Sequence, residues 1–219
     1  MLKISDAVAE ILFSSDLALE ALRSGILNLS AYAAQILPQV EATTYKTVQV
    51  PSIVVALSRI AKTLDQSASL KPKVQLDEIS IKSPLCDLTF EKTTQTLHQA
   101  RTLAHHLDIQ NQHFLTMTQG VNEITIIATQ EYRAEILEHF KTPPKQMFSE
   151  LVGVSMRFSE TYLSEPNVIY TLLSFLAVKR INLIEIISTY TELTVVIEQK
   201  QMQLALLALN QFLTPQMSG

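Results

Sequence analysis

Glycine is scarce in this chain. The 219 residues hold four, Gly25, Gly120, Gly153 and Gly219, none near another. Loops that cradle phosphates need several glycines close together, so that backbone N–H groups can approach the anion. Their absence argues against an ATP site of the common glycine-rich kinds. Cysteine occurs once, at Cys86. A lone cysteine closes no intrachain disulfide, which points to a reducing cytoplasm. Its place in a β-prone run favours a small buried hydrophobe over a nucleophile. No apolar run reaches the roughly 18–20 residues that span a bilayer, so no membrane partner is expected. The start, Met1-Leu2-Lys3-Ile4-Ser5-Asp6, passes into a capped amphipathic pattern. It lacks the basic start and compact apolar block of a signal peptide.

What is present suffices for a folded protein. Hydrophobic residues make up 47% of the chain, enough for a sizeable core. Residues 1–65 read as a helical module. Ala7, Val8, Ile11 and Leu12 share a face continued by Leu19 and Leu22, and Arg23-Ser24-Gly25 breaks it. Asn28 or Ser30 caps a second helix as far as Ile36, with Pro38 ending or kinking it. Thr47-Val48-Gln49-Val50 is short and β-prone, and Pro51-Ser52 opens a third helix carrying Ile53, Val54, Ala56, Leu57 and Ile60. Residues 66–72 have linker composition.

From Val154 the pattern reads strand, loop, helix, strand, turn, strand, helix. Val154, Met156 and Phe158 alternate with Ser155, Arg157 and Ser159, the period of a half-buried strand. Ser164-Glu165-Pro166 supplies capping side chains and a proline suited to a first helical turn. Leu172, Leu173, Phe175, Leu176 and Val178 give that helix a broad apolar face. Ile184, Ile186 and Ser188 begin a second strand, Tyr190-Thr191 turns it, and Leu193–Ile197 returns. Gln201–Leu213 closes with an amphipathic helix. An earlier copy precedes it: Glu123-Ile124-Thr125-Ile126-Ile127 matches Glu192-Leu193-Thr194-Val195-Val196 at an offset of 69 residues. Upstream, Leu88 and Phe90 alternate in a strand, Thr93 or Thr94 caps a helix with Leu97, Ala100, Leu103, Ala104 and Leu107, and Asp108-Ile109 stands where Arg180-Ile181 stands later.

This βαββα order resembles the ACT domain, the small regulatory module attached to many amino-acid-metabolising enzymes. Residues 181–189 with 192–197 look most like the ACT units at the end of aspartate kinases. The resemblance covers about two thirds of the chain and implies an α+β protein: a helical module, then two ferredoxin-like (βαββαβ) units at 73–150, the degenerate one, and 151–219. The second copy has no fourth strand, because Thr214-Pro215 ends the chain. The spare run Val74–Lys82 is expected to fill a sheet edge, as interleaved strands do in aspartate kinase regulatory regions. The resemblance further implies ligand sensing and not catalysis, a homodimer, an amino acid effector, a partner enzyme and no cofactor.

The resemblance implies that the amino acid sits between two units, against the loop that joins the first strand to the first helix. There the helix start offers N–H groups and partial positive charge to an α-carboxylate. In the second unit Ser164, Asn167 and Val168 are assigned to the carboxylate, Glu160 or Glu165 to the ammonium, and Ser188 and Thr189 stand on the neighbouring strand. Asn167 occupies the place of the family's usual glycine, and asparagine tolerates left-handed backbone better than most residues. The first unit's loop, Glu91-Lys92-Thr93-Thr94-Gln95, has neither proline nor glycine, and it is expected to have lost its ligand.

Rival readings are weaker. The five histidines are His98, His105, His106, His113 and His139. His98 and His105 are seven apart on one predicted helix, but no nearby cysteine and no carboxylate on that face completes a zinc set. No nucleophile–histidine pattern supports an enzyme. A transcriptional regulator reading the helical module as a helix-turn-helix meets an unfavourable charge balance. Residues 1–65 carry five basic groups (Lys3, Arg23, Lys46, Arg59, Lys62) against six acids (Asp6, Glu10, Asp16, Glu20, Glu41, Asp65). Nucleic acid is therefore a partner not favoured, and dimerisation or protein docking is the preferred role for the helices. A ligand-free interaction module is the remaining alternative.

Overall fold

A computed structural model describes residues 2–64, 70–107 and 113–213. Asp65, most of the expected linker (66–69), Asp108-Ile109 and Thr214-Pro215 lie outside the described residues. The chain divides into two compact units, Met1–Pro72 and Lys73–Gly219.

The first unit is helical: α1 (Ile4–Phe13), α2 (Asp16–Arg23), α3 (Leu29–Thr44) and α4 (Val50–Thr63) enclose a core of Val8, Leu12, Ile36, Val40, Ile53 and Leu57. Gly25, at φ 72°, ends α2: its N–H bonds to Leu22 O and that of Ile26 to Ala21 O, the paired contacts of a Schellman motif. Asn28 caps α3 by accepting from Ala31 N–H (3.0 Å). Two points differ from the sequence reading. Helix α3 does not end at Pro38 but continues to Thr44, because Ile36 and Val40 on either side of the proline are buried. Burying such side chains is worth about 1.5–3 kcal/mol each, against a cost near 3 kcal/mol for an interior proline. Nor is Thr47–Val50 a strand. Val48 N–H donates to Glu41 Oε1 (2.9 Å), which holds this segment as a connection, and Val50 is already the first residue of α4.

In the second unit one six-stranded antiparallel sheet has the order β2-β3-β1-β4-β6-β5. Its elements are β1 (Leu76–Glu91), α5 (Thr94–His106), β2 (Leu115–Gln119), β3 (Glu123–Thr129), α6 (Arg133–Phe140), β4 (Gln146–Phe158), α7 (Val168–Val178), β5 (Glu185–Ser188), β6 (Glu192–Glu198) and α8 (Met202–Leu209). β1 and β4 are long enough to serve both halves. The end of β1 pairs with β3 and with the start of β4 (Leu88↔Met147), giving the strand order of one ferredoxin-like half. The start of β1 pairs with the end of β4 (Ile79↔Met156, Ile81↔Val154) and completes the other half beside β6 and β5. The spare run at 74–82 thus becomes the fourth strand of the second half. The boundary near 150 accordingly falls inside β4, where the two halves share a strand.

Where the strands pass between halves, register shifts flank Leu85, with Pro84 on one strand and Glu150 (φ 55°) on the other. Proline cannot donate to a ladder and is tolerated at such bulges. Gly153 lies just beyond, where a Cβ would come 3.1 Å from Leu85 Cδ1. Alternate residues face two helix-covered cores. Leu88, Phe90, Ile124 and Ile126 pack with Leu103, Ile136 and Phe140 in the first half. Val154, Met156, Leu193 and Val195 pack with Leu172, Leu176 and Leu209 in the second. Residues of opposite parity, Leu85, Ile127, Leu151 and Val196, form a smaller cluster on the other side of the sheet.

Candidate functional site

β4 ends at Phe158, whose N–H donates to Thr191 O (3.0 Å) and so ties it to the β5–β6 turn. Ser159 Oγ then accepts from Thr161 N–H and starts a tight 3₁₀ turn, Glu160–Ser164, closed by Glu165 N–H donating to Tyr162 O. Asn167 follows at φ 68°, in the left-handed region, and α7 begins at Val168. The helix does not open at Pro166, and Ser164 does not cap it, because the 3₁₀ turn takes up that residue first. Asn167 makes no side-chain cap hydrogen bond, and the first turn of α7 carries no acid. The start of α7 thus has no cap from the Asn167 side chain, and it carries the positive end of the helix dipole.

Against this helix start lies a cavity of about 390 Å³. Glu165, Asn167 and Val168 line one side, Ser188 and Thr189 another, and Phe158, Tyr162, Tyr170 and Tyr190 contribute aromatic walls. Five of the seven sequence-predicted site residues therefore meet around one space. Glu160 and Ser164 are not among its lining residues. They belong to the turn that carries Tyr162 and Leu163 to it. Glu165 is the single charged residue of the lining. The aromatic walls were not foreseen as site residues. Tyr190 reads in sequence as a turn residue and Phe158 as core; their clustering depends on the β4 end meeting the β5–β6 turn.

The corresponding helix start of the first half is built differently. Thr96 N–H donates to Thr93 Oγ1 (3.1 Å) and Thr93 N–H donates back to Thr96 Oγ1 (2.8 Å), a capping box made of two threonines. Thr96 Oγ1 also reaches Glu91 O at 2.6 Å. A cavity of about 560 Å³ adjoins it, lined by Glu91, Thr93, Thr96 and Lys145 among others, and Lys145 is ion-paired with Glu123.

Other titratable groups do not assemble a reactive centre. Cys86 lies fully buried in β1, and burial pushes its thiol up to about 11, so it stays protonated at neutral pH. Asp87 is 2% exposed on the side of the sheet away from the helices. Burial first, and then the nearby Glu185 charge, push its carboxyl up to about 6. Of the histidines, His113 pairs with Glu131 (2.8 Å) and Tyr132, while His106 stacks on His139 and approaches Glu135 at 4.0 Å. His98 and His105 are exposed on α5. Among the described residues no group of three His, Cys, Asp or Glu could hold a metal ion, and no helix is long and apolar enough to cross a membrane.

Solved structures share the arrangement of this mixed helix-and-strand unit with its antiparallel sheet. The regulatory subunit of aspartate kinase from Thermus thermophilus, in its ligand-free form, matches 64% of this chain and 99% of its own at TM-score 0.52 and 15% identity. The Thermus flavus regulatory subunit gives 0.51 at 12% identity over 64% of this chain and 99% of that one. The aspartate kinase of Clostridium acetobutylicum matches at TM-score 0.54 and 12% identity over 66% of this chain. This chain spans 36% of that enzyme's length. About 64% of the chain thus has the fold of an aspartate kinase C-terminal regulatory region. No protein-family model matches the sequence, and no curated protein matches it.

Proposed function

We propose that this chain is a non-catalytic regulatory protein that senses a free amino acid in the cavity at the start of α7. The observation that carries the reading is a helix start without a side-chain cap and a single carboxylate in the lining of one half-open cavity. The N–H groups at Asn167 and Val168 receive the α-carboxylate. Glu165 receives the α-ammonium, and Ser188 and Thr189 bond whichever polar group faces them. Two charges of opposite sign on the ligand meet two of opposite sign on the protein, which a simple anion or cation would satisfy only by half. Glu160 and Ser164 act indirectly in this reading, by shaping the turn. The Thermus regulatory subunits, which match over nearly their full length, support a role without catalysis.

Occupancy shifts a conformational equilibrium by its differential affinity for two states, in a homodimer that acts on a partner enzyme of amino-acid metabolism. The reducing cytoplasm inferred from the lone cysteine suits such a task. The near-even charge of the helical unit favours protein docking over DNA. Thermal unfolding against each of the twenty amino acids tests the reading. A ligand at about a hundred times its Kd stabilises by about 2.7 kcal/mol, so one or a few amino acids should raise the midpoint in a concentration-dependent way. A flat response to all twenty at millimolar concentration would leave the ligand-free interaction module in its place.

A further inference from the structure

The chemistry of the same cavity narrows the ligand, an inference that rests on the amino-acid reading above. Four of its eleven lining residues are aromatic, in a chain that is 6% aromatic overall. Phe158 is 5% exposed, held by its bond to Thr191 O, and forms a fixed floor. Tyr162 is held as well: its Oη accepts from Gln75 N–H (3.0 Å), at the entry to β1. Tyr170 and Tyr190 are 39% and 66% exposed at the mouth. The lining contains no Lys, Arg or His to meet a side-chain carboxylate, and its one acid is taken by the α-ammonium. A cationic side chain would have only ring faces to oppose it, worth about 0.5–1 kcal/mol at exposed sites. An aromatic ring gains burial against all four walls and edge or offset contacts besides. The first-half cavity is the internal control, with Phe90 as its single aromatic and Lys145 in its lining.

We propose that the cavity beside α7 takes a free aromatic amino acid, its ring held among Phe158, Tyr162, Tyr170 and Tyr190.

The test titrates the full chain with phenylalanine, tyrosine, tryptophan, lysine, aspartate and threonine, and separately with indole. The protein has no tryptophan, so the fluorescence of tryptophan and indole, excited to the red of tyrosine absorption, reports the ligand alone. Aromatic amino acids should bind about tenfold or more tighter than the other three, consistent with burying one large ring. Indole should compete with them. Tyr190→Ser, at an exposed position, should leave the unfolding midpoint in place and weaken tryptophan binding about five-fold, the size of one ring–ring contact. Lysine, aspartate or threonine binding as tightly as tryptophan would overturn the ring subsite and leave the sensor reading standing. An aromatic preference that survives the Tyr170→Ser, Tyr190→Ser double variant would overturn it too. Indole binding without any amino acid would do the reverse: the ring subsite holds and amino-acid sensing falls. No binding of either overturns both.

Discussion

The two halves of the sheet begin their first helices in opposite ways. At α5 the chain satisfies itself: Thr93 and Thr96 exchange hydrogen bonds and Thr96 ties back to Glu91 O. At α7 a left-handed Asn167 turns the chain into the helix without a side-chain cap. An N-cap is worth about 0.5–2 kcal/mol, so leaving it out costs stability unless something else meets those N–H groups. The same fold thus offers one helix start closed by its own side chains and one without such a cap. The larger of the two cavities lies at the closed start. Under the proposed reading it is the state of the helix start, not the size of the cavity, that distinguishes the two halves.

The halves differ at their sites but share β1 and β4, and this can be broken most forcefully through the core. Phe140 stacks on Phe90 with centroids 4.0 Å apart and is fully buried in the first half. Phe140→Ala should cost about 3–5 kcal/mol in denaturant unfolding. Because strands are shared, spectroscopic probes in the two halves should move together. Separate transitions for residues on β3 and β6 would show the halves to be independent.

The next effect depends on pH. Asp87 on β1 and Glu185 on β5 belong to different halves, yet the charge of one raises the other's proton affinity. A carboxyl whose folded value lies at about 6, above its unfolded value, holds its proton longer in the folded chain. The stability it supplies is present below the ordinary carboxylate range and lost as pH rises to about 6. Allowing for solvent screening, the change is roughly 1–2 kcal/mol. Asp87→Asn should flatten the stability profile between about pH 4 and 6. A profile as steep as that of the parent protein would assign the titration elsewhere.

Smaller still are the helix starts themselves. Thr93→Ala should cost about 1 kcal/mol by removing a cap. Asn167→Ala should cost a similar 1–2 kcal/mol for a different reason, left-handed strain, and Asn167→Gly should relieve it. If Asn167→Gly costs as much as Asn167→Ala in urea unfolding, Asn167 is acting through its side chain.

Much of this was legible in the sequence. The alternation at Val154–Phe158 and the repeat of Glu123–Ile127 in Glu192–Val196 mark strands because each has one face on a helix-covered core. The missing fourth strand and the spare run at 74–82 pointed to interleaving. What the sequence concealed was continuity. The run 74–82 and the strand of Leu88 and Phe90 were read separately, yet β1 joins them through Ser83-Pro84 because opposing irregularities in β1 and β4 compensate. Pro38 misleads in the same way, since local propensity is overridden by the burial of Ile36 and Val40. Around the cavity, Glu165, Asn167, Val168, Ser188 and Thr189 were singled out by the resemblance to ACT units, and all five line it. The displacement of Ser164 and Glu160 was not foreseen, because a 3₁₀ turn shifted the helix start to Val168. The tyrosines come together only through tertiary contact between the β4 end and the β5–β6 turn.

The stoichiometry of amino-acid binding, measured by calorimetric titration of the full chain, tests the contrast between the two helix starts most directly. The account predicts one site per chain, abolished by Glu165→Gln and untouched by Thr93→Ala. Two sites per chain, or one site that survives Glu165→Gln and responds to Thr93→Ala, would contradict it.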